Sequence, residues 1–398
     1  MFRSITRLTV AVLVLLGSAN AHADIMVGAP FDLTGPVGEL AKAMRQGAEL
    51  AMNQVNQQGG VLGEPYRLEF ADTACDPDKS VEIVRRLIDN PATLALVGPV
   101  CSGVTLRQAR SVTIPAGVVT LSVASASSLI TTLDDRDLVF RTAPSDAVKG
   151  QAMARVAFDT GIRTIAISHA SDAYNAGVAQ VFATAFKALG GQVTVNQTHQ
   201  PGRPDYRGEA RAVAAGAPDL ALFAYYGSGG VQYLQDALTD QGVRRVIGTD
   251  GLMSKDLTTA LSADQLARIT IVTAAADTER EAYKRWLVFA NAHKLKADGP
   301  YVANAYDAAF MMALAIEAAG APPDRAKVAA SLRAIAGPEG TVVYPGEFSK
   351  ARALLKRGVR INYDGASGPV DFDASGDITG RVNVNRFANG AWQATLLK

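Results

Sequence analysis

The sequence has few of the residues on which most enzyme chemistry depends. The 398-residue chain contains two cysteines and four histidines, and three of the histidines (His169, His199 and His293) are spread out without metal-site spacing. It has no GxSxG, HExxH or GxxxxGK[ST] motif, and no GxGxxG follows the first strand-like segment. These absences argue against the enzymes that such motifs mark, and we expect no catalytic activity, no metal and no cofactor.

An excess of charge of one sign is also missing. Lysine and arginine number 39 and aspartate and glutamate number 38, which gives a formal net charge of +1. Binding to nucleic acid or to an anionic membrane normally requires a basic excess. Beyond the N-terminal segment, the sequence predicts no apolar run near the 18 residues of a membrane span. We therefore expect neither a nucleic-acid partner nor a membrane-embedded segment.

The N-terminal segment has the pattern of a secretory signal peptide. Arg3 and Arg7 precede an apolar run over 8–16, and Ala21-His22-Ala23 resembles a cleavage site. The sequence predicts that residues 1–23 are removed. In an exported chain the two cysteines, Cys75 and Cys101, are expected to form a disulfide. The alternative is a catalytic or metal-binding thiol, but no histidine lies nearby in sequence.

Two series of apolar, strand-like segments alternate with helical stripes. Such runs are typical of parallel strands covered on both faces by helices. They predict an α/β protein of two doubly wound parallel-sheet lobes with a ligand cleft and a hinge between them. We assign 24–143 plus 274–382 to lobe 1 and 144–273 plus 383–398 to lobe 2, with crossings near 143, 273 and 382. The predicted strands are 25–31, 66–71, 94–98 and 118–122, then 164–168, 192–196, 219–224, 245–248 and 269–273, with late strands at PVDFD (369–373) and VNVNRF (382–387).

Hydroxyls, aromatics and aspartates follow the carboxyl ends of these strands, where ligands bind in parallel α/β sheets. The segments are 32–35, 102, 122–127, 169–174, 225–229 and 250, and they contain almost no strong base. Such a site can hold a zwitterion without transforming it. The sequence therefore favours a binding protein over an enzyme, and a secreted NAD-type dehydrogenase is disfavoured because GAPFDL lacks the glycine fingerprint.

The chain resembles the periplasmic substrate-binding proteins of branched-chain amino acid ABC transporters, which have the type I periplasmic binding protein fold. The resemblance covers nearly all of the chain after residue 23. It is carried by PFDLTGPVGELA, VNQQGGVLGEPYRLEFADTACDPDKSV, LVGPVCSGVT, VFRTAPSD, SDAYNAG, PDLALFAYYGSGG, GTDG, YVANAYDAAF and GPVDFDASGDITG. The pair DTACDPDK and GPVCSG also matches the family's disulfide, which supports joining Cys75 to Cys101.

The resemblance implies a ligand head group on lobe 1. It places the ligand carboxylate on Ser102 and a backbone carbonyl, at Ala124, on the ligand ammonium. The family's second hydroxyl falls on Ala126, which cannot supply one, so Ser125 or Ser127 would have to replace it or the head group would differ. Leu40 stands where some relatives carry an aromatic residue.

From lobe 2, the resemblance pairs Asp250 with the ligand ammonium and closes Tyr174 and Tyr226 over the ligand. Tyr301 corresponds to an aromatic of the pocket wall. The implied function is that of a periplasmic importer component, which would bind a small, branched-chain or other aliphatic amino acid by hinge closure. It would deliver that ligand to the permease subunits of an ABC transporter as a monomer. The alternative is the same role with an aromatic or aliphatic carboxylic acid or an amide as ligand.

Overall fold

Parallel strands alternate with helices through the part of the chain that the computed structural model describes, residues 24–216, 218–224, 227–239 and 242–397. The predicted signal peptide, residues 1–23, and Tyr226 lie outside the described residues. The described strands fall into two large sheets and one small one. Each large sheet is the centre of one lobe.

Lobe 1 is built on a parallel sheet with the strand order β2-β1-β3-β4-β5 in the described chain. All of β1 except Met26 is buried, as expected for a strand with helices on both faces. The strands are β1 Ile25–Phe31, β2 Tyr66–Asp72, β3 Thr93–Val97, β4 Thr120–Ser122 and β5 Val139–Arg141, and the helices among them are α1 Gly38–Gln57, α2 Pro77–Asp89, α3 Ser102–Gln108 and α4 Ser128–Thr131.

Lobe 2 is built on a sheet with the order β14-β13-β10-β9-β8-β6-β7 in the described chain. Its strands β6 to β10 run parallel to their neighbours, whereas β13 pairs antiparallel with both β10 and β14. The strands are β6 Thr164–Ala170, β7 Gln192–His199, β8 Leu220–Ala224, β9 Val246–Thr249, β10 Ile269–Ala275, β13 Arg381–Ala388 and β14 Ala391–Leu396, and the helices are α5 Asp146–Asp159, α6 Ala173–Ala188, α7 Arg207–Ala215, α8 Gly227–Thr239, α9 Lys255–Ala260 and α10 Ala263–Leu266.

The chain returns from lobe 2 to lobe 1 through four helices and a small parallel sheet. These elements are α11 Glu281–Ala292, α12 Val302–Ala319, α13 Arg325–Ala334, β11 Thr341–Val343, α14 Phe348–Lys356 and β12 Ile361–Tyr363. Their buried side chains join the core of lobe 1. Helix α1 packs closely on α12, since a Cβ at Gly47 would lie 2.4 Å from the Val302 carbonyl oxygen.

Helix α12 corrects one expectation from the sequence. Among the described residues it is the one helix long and apolar enough, by length and composition, to span a membrane, although no apolar run of that length was expected. It is buried almost throughout, as the central helix of the lobe 1 core. Its apolar surface is therefore covered by protein.

The sequence predicts one strand that does not form and misses β5, β11, β12 and β14. The segment PVDFD forms no strand and has only an isolated bridge from Pro369 to Asp364. The segment Val139–Arg141, for which the sequence predicts no strand, is the edge strand β5. The described chain passes between the two large sheets at 142–145, 276–280 and 364–380, segments that we call the three crossings.

Candidate ligand-binding cleft

A cavity of about 640 Å³ lies between the lobes. Lobe 1 contributes the turn and helix start at 35–40 together with Cys75, and lobe 2 contributes residues that follow its strands, including Asp172, Asp250 and Met253. This volume is in the range of small-molecule binding sites. The cavity is at the carboxyl ends of the parallel strands, the edge at which the sequence predicts a ligand.

A second, much smaller cavity of about 20 Å³ adjoins it. Both cavities share Val37, Leu40, Asp250 and Gly251. Five residues singled out from the sequence line the small cavity: Leu40, Ala124, Tyr174, Asp250 and Tyr301. Residues that are far apart along the chain therefore meet at one place, and both lobes contribute to it.

Asp250 is the centre of a buried cluster at this place. It begins a short 3₁₀ turn directly after β9. The Tyr174 hydroxyl donates to Asp250 Oδ1 at 2.6 Å, and the Tyr301 hydroxyl donates to Oδ2. Lys149 Nζ lies 3.1 Å from Oδ1 and 2.9 Å from Oδ2. The carboxylate that the sequence assigns to a ligand ammonium thus has an ammonium group of the chain itself as its partner.

Lys149 also donates to both tyrosines of the cluster. Its Nζ lies 2.8 Å from the Tyr174 hydroxyl oxygen and 3.1 Å from that of Tyr301. The Lys149 and Asp250 side chains are only 1% and 4% exposed, so this ion pair is almost fully removed from water. A buried pair of this kind is stable only when its remaining hydrogen-bonding groups are satisfied, which the tyrosines achieve here.

The charges of the cluster set its pKa values. Burial opposes ionisation of Asp250, but Lys149 and the hydrogen bonds from the two tyrosines outweigh it and lower the pKa of the carboxyl. Burial, followed by the adjacent Asp250 carboxylate, raises the pKa of Tyr301 well above its usual value. Asp250 is therefore a carboxylate and Tyr301 a neutral phenol at neutral pH.

The sequence reading missed Lys149, although the sequence contains a signal for it. The buried positions of α5 include Asp146, Lys149, Met153 and Ala157, which recur at three or four residues. Lys149 therefore stands on the apolar stripe of its helix, where a lysine is uncommon unless it is paired. Its partner is 101 positions away, so periodicity alone could not identify it.

The serine-rich loop after β4, residues 123–127, contains Ala124, which lines the small cavity. Ser102 is 1% exposed, and its Oγ accepts hydrogen bonds from the backbone N–H groups of Ala126 and Ser127, both at 3.2 Å. The Ser125 hydroxyl is in contact with the Thr105 hydroxyl at 2.6 Å and donates to the Val100 carbonyl oxygen at 3.0 Å. Ser125 is thus engaged inside lobe 1, and the Ala126 side chain is fully buried in a core cluster that includes lobe 2 residues.

Arg141 fixes this loop to the third crossing. Its guanidinium forms a two-pronged pair with Asp377, with Nε–Oδ1 and Nη2–Oδ2 distances of 2.6 Å, and it donates to the Ser127 carbonyl oxygen at 2.9 Å. Arg141 is fully buried. Bidentate arginine–carboxylate pairs of this kind fix the relative orientation of the two side chains.

The disulfide joins two other segments of the cleft. Cys75 and Cys101 are bonded, with a Cα–Cα distance of 5.6 Å. The buried Asp32 carboxylate accepts from the backbone N–H groups of both cysteines, at 2.9 and 2.8 Å. Asp32 and the two cysteines are the one grouping of metal-ligand side chains found in the described residues, and their sulfur atoms are already bonded to each other.

The family comparison and a curated relative both match this chain to binding proteins. Residues 24–375 match the family described as periplasmic binding protein. The Leu/Ile/Val-binding protein BraC3 of Rhizobium johnstonii is 30% identical over 316 residues, which cover 79% of this chain and 84% of that protein.

Solved structures share the fold. A leucine-binding protein LivK from Thermotoga maritima has a TM-score of 0.78 at 22% identity, covering 93% of this chain and 97% of that one. A solute-binding protein of an ABC transporter from R. palustris, solved in complex with benzoate, has a TM-score of 0.74 at 19% identity, covering 94% of this chain and 96% of that one. The chain belongs to the periplasmic binding protein family, in the type that includes the Leu/Ile/Val-binding proteins.

Proposed function

We propose that this chain is the substrate-binding component of an ABC importer, which takes up one small carboxylate-bearing molecule between its lobes and delivers it to a membrane permease. The observation that carries the proposal is the cavity of about 640 Å³, because both lobes line it and it adjoins the cluster around Asp250. We place the protein in the periplasm, as a monomer without catalytic turnover. Family membership supports the periplasmic location and the binding role.

Hinge closure is the mechanism that fits this arrangement. A ligand shifts the balance between open and closed lobes only if it binds the closed form more tightly, through contacts made from both sides. Leu40 and Ala124 belong to lobe 1, and Tyr174 and Asp250 belong to lobe 2. All four line the small cavity, so a ligand there would touch both lobes.

Two classes of ligand fit the proposal. The first is a branched-chain or other aliphatic amino acid, which the 30% identity to a Leu/Ile/Val-binding protein supports. The second is an aromatic or aliphatic carboxylic acid, and one similar structure was solved with benzoate. Both carry a carboxylate, for which Ser102 is our candidate partner, since no acceptor for its hydroxyl proton is found among the described residues.

A ligand screen tests the function. Mature protein should be purified, freed of bound ligand by unfolding and refolding, and tested in a thermal-shift screen against amino acids and aromatic and aliphatic acids. A true ligand raises the melting temperature by mass action. Isothermal titration calorimetry with the best compound should give one site per chain, and the compound should be recovered unchanged. A chemically altered ligand would contradict the binding-protein assignment.

A further inference from the structure

We infer that Lys149 is a built-in cation that takes the place of a ligand's α-ammonium group, so that the cleft selects small carboxylic acids without an amine. The inference rests on the proposed importer function and narrows its ligand class. It starts from the partners of Asp250, the residue that would otherwise receive a ligand ammonium.

The hydrogen-bonding capacity of Asp250 is fully used. A carboxylate has about four acceptor positions. Oδ1 receives the Tyr174 hydroxyl and the Lys149 ammonium, and Oδ2 receives the Tyr301 hydroxyl and the same ammonium. A ligand ammonium arriving from the cavity would find both oxygens occupied.

Lys149 is equally satisfied. Its ammonium has three N–H donors, and the chain offers three partners for them: the Asp250 carboxylate, the Tyr174 hydroxyl and the Tyr301 hydroxyl. The cluster is therefore a closed unit of one positive and one negative charge. It needs no further cation to become neutral.

The cluster also connects the lobes by itself. Tyr301 is packed in the core of lobe 1, at the start of α12, whereas Lys149 and Asp250 belong to lobe 2. If the ligand were an amino acid, its ammonium group would supply the positive charge at this junction. Here the chain supplies it, so a ligand gains nothing by bringing its own.

A ligand ammonium would instead be buried without an anionic partner. The Ala124 carbonyl is the remaining predicted acceptor, and a single neutral acceptor does not offset the loss of water around a full charge. Asp172 lines the larger cavity, but its carboxylate already accepts hydrogen bonds from the Tyr174 and Asn175 backbone N–H groups and from the Asn175 side-chain amide. Asp146 is another buried acid, but it is fully enclosed and lines neither cavity. Glu39 and Asp256 lie at the exposed mouth, and Glu39 is paired there with Lys42 at 2.7 Å.

Matched pairs of ligands test the inference on the wild-type protein. Leucine is compared with 4-methylpentanoate, and phenylalanine with 3-phenylpropanoate, by calorimetry at pH 7.5. Each pair differs only in the α-ammonium group. We expect the amine-free member to bind about 100-fold more tightly in any pair that binds, because a buried unpaired charge is excluded.

Two variants then assign the selectivity to Lys149. Lys149→Met leaves Asp250 as an unpaired anion, so the preference should move toward the amine-bearing member by about 10-fold or more. The double variant Lys149→Met with Asp250→Asn removes both charges and should return the preference to the amine-free acid. Lys187→Met is the control, since it removes an exposed lysine that lines neither cavity and should leave the ratio unchanged.

The outcomes separate the inference from the function on which it rests. Tighter binding of leucine or phenylalanine by the wild type would overturn the inference and leave the importer function intact. An unchanged ratio in Lys149→Met would overturn the role of Lys149, because a merely structural lysine weakens both members equally. Failure of the wild type to bind any acid or amino acid in the screen would overturn the proposed function itself.

Discussion

Asp146 is a fully buried carboxylate at the lobe junction whose oxygens have no hydrogen-bond partner among the described residues. Burial, only partly offset by the nearby Lys149 ammonium, raises its pKa to about 7. Asp307 is equally buried, and its pKa is raised to about 6, but its carboxylate accepts hydrogen bonds from Tyr363, Ala366 and Ser367. The two residues form a natural comparison between an unpartnered and a partnered buried acid.

We predict that Asp146→Asn stabilises the protein at pH 8 and not at pH 4. Between these values the native state holds a proton on Asp146 that the unfolded chain releases, so the free energy of unfolding falls as the pH rises toward 7. Removing the carboxyl should recover about 1–3 kcal/mol above pH 7. The measurement is urea unfolding of wild type and variant across this pH range.

Asp307→Asn is the control for that experiment. It should destabilise the protein, because one amide oxygen cannot accept all the donors that converge on the carboxylate. A gain in Asp146→Asn that is the same at pH 4 and pH 8 would contradict a charge effect. Such a result would mean that packing at residue 146 had changed instead.

Five of the predicted site residues lie together in the structure, but the chemistry at that place was not predicted. Leu40, Ala124, Tyr174, Asp250 and Tyr301 line one cavity, as a common site requires, while their roles toward a ligand stay predictions. The partner of Asp250 could not be read from the sequence, because Lys149 comes from another helix far along the chain. Local patterns specify which face of a helix is buried, and tertiary packing decides which side chains meet there.

At the scale of elements, the segment 337–367 had no explanation from the sequence. In the structure it forms β11, α14 and β12, which pack on α12. Phe348 is fully buried and lies edge-on to Phe310, with ring centroids 6.0 Å apart. The Tyr363 hydroxyl donates to Asp307 Oδ1 on α12 at 2.7 Å. The segment is therefore part of the lobe 1 core.

Phe348→Ala should lower the free energy of unfolding by about 3–5 kcal/mol, the usual cost of truncating a buried phenylalanine. Val342→Ala is the control in the same segment: Val342 is 38% exposed, and its truncation should cost less than about 0.5 kcal/mol. Chemical denaturation of both variants measures the difference. Equal, small effects would mean that the segment is only loosely attached to lobe 1.

Elements with a long, regular pattern were predicted best. Strands β1 and β2 form at the predicted ranges 25–31 and 66–71, with one further residue at the end of β2. The strand predicted at PVDFD from its alternation of apolar and acidic residues does not form, because this segment belongs to a crossing and only its Pro369 has a bridge partner, Asp364. The three-residue strand β5 is too short to produce a periodic signal of its own.

For the whole molecule, the crossings decide how the lobes can move. Gly380, in the third crossing, lies against Pro144 in the first, so that an added Cβ would come within 2.1 Å of the proline Cβ. This contact has no room for a methyl group. We expect the relative orientation of the lobes to depend on it.

Gly380→Ala should force the two crossings apart and weaken ligand binding by about 10-fold, since closure would no longer bring both lobes to the ligand. Small-angle X-ray scattering should show a larger radius of gyration with ligand present than in the wild type. Gly208→Ala is the control, because no atom outside its helix lies within 4 Å of the added Cβ. Wild-type affinity in Gly380→Ala would exclude this contact from the control of closure.

The chain's two tryptophans are divided between the lobes. Trp286 is fully buried in the core of lobe 1 beside Tyr306, and Trp392 packs on Phe387 in the sheet of lobe 2. Neither residue lines the cleft cavities. Replacing one tryptophan at a time by phenylalanine would therefore make the intrinsic fluorescence of the protein a reporter of a single lobe. Two unfolding curves that separate would show that the lobes melt independently, and curves that a bound ligand brings together would report the coupling that closure adds.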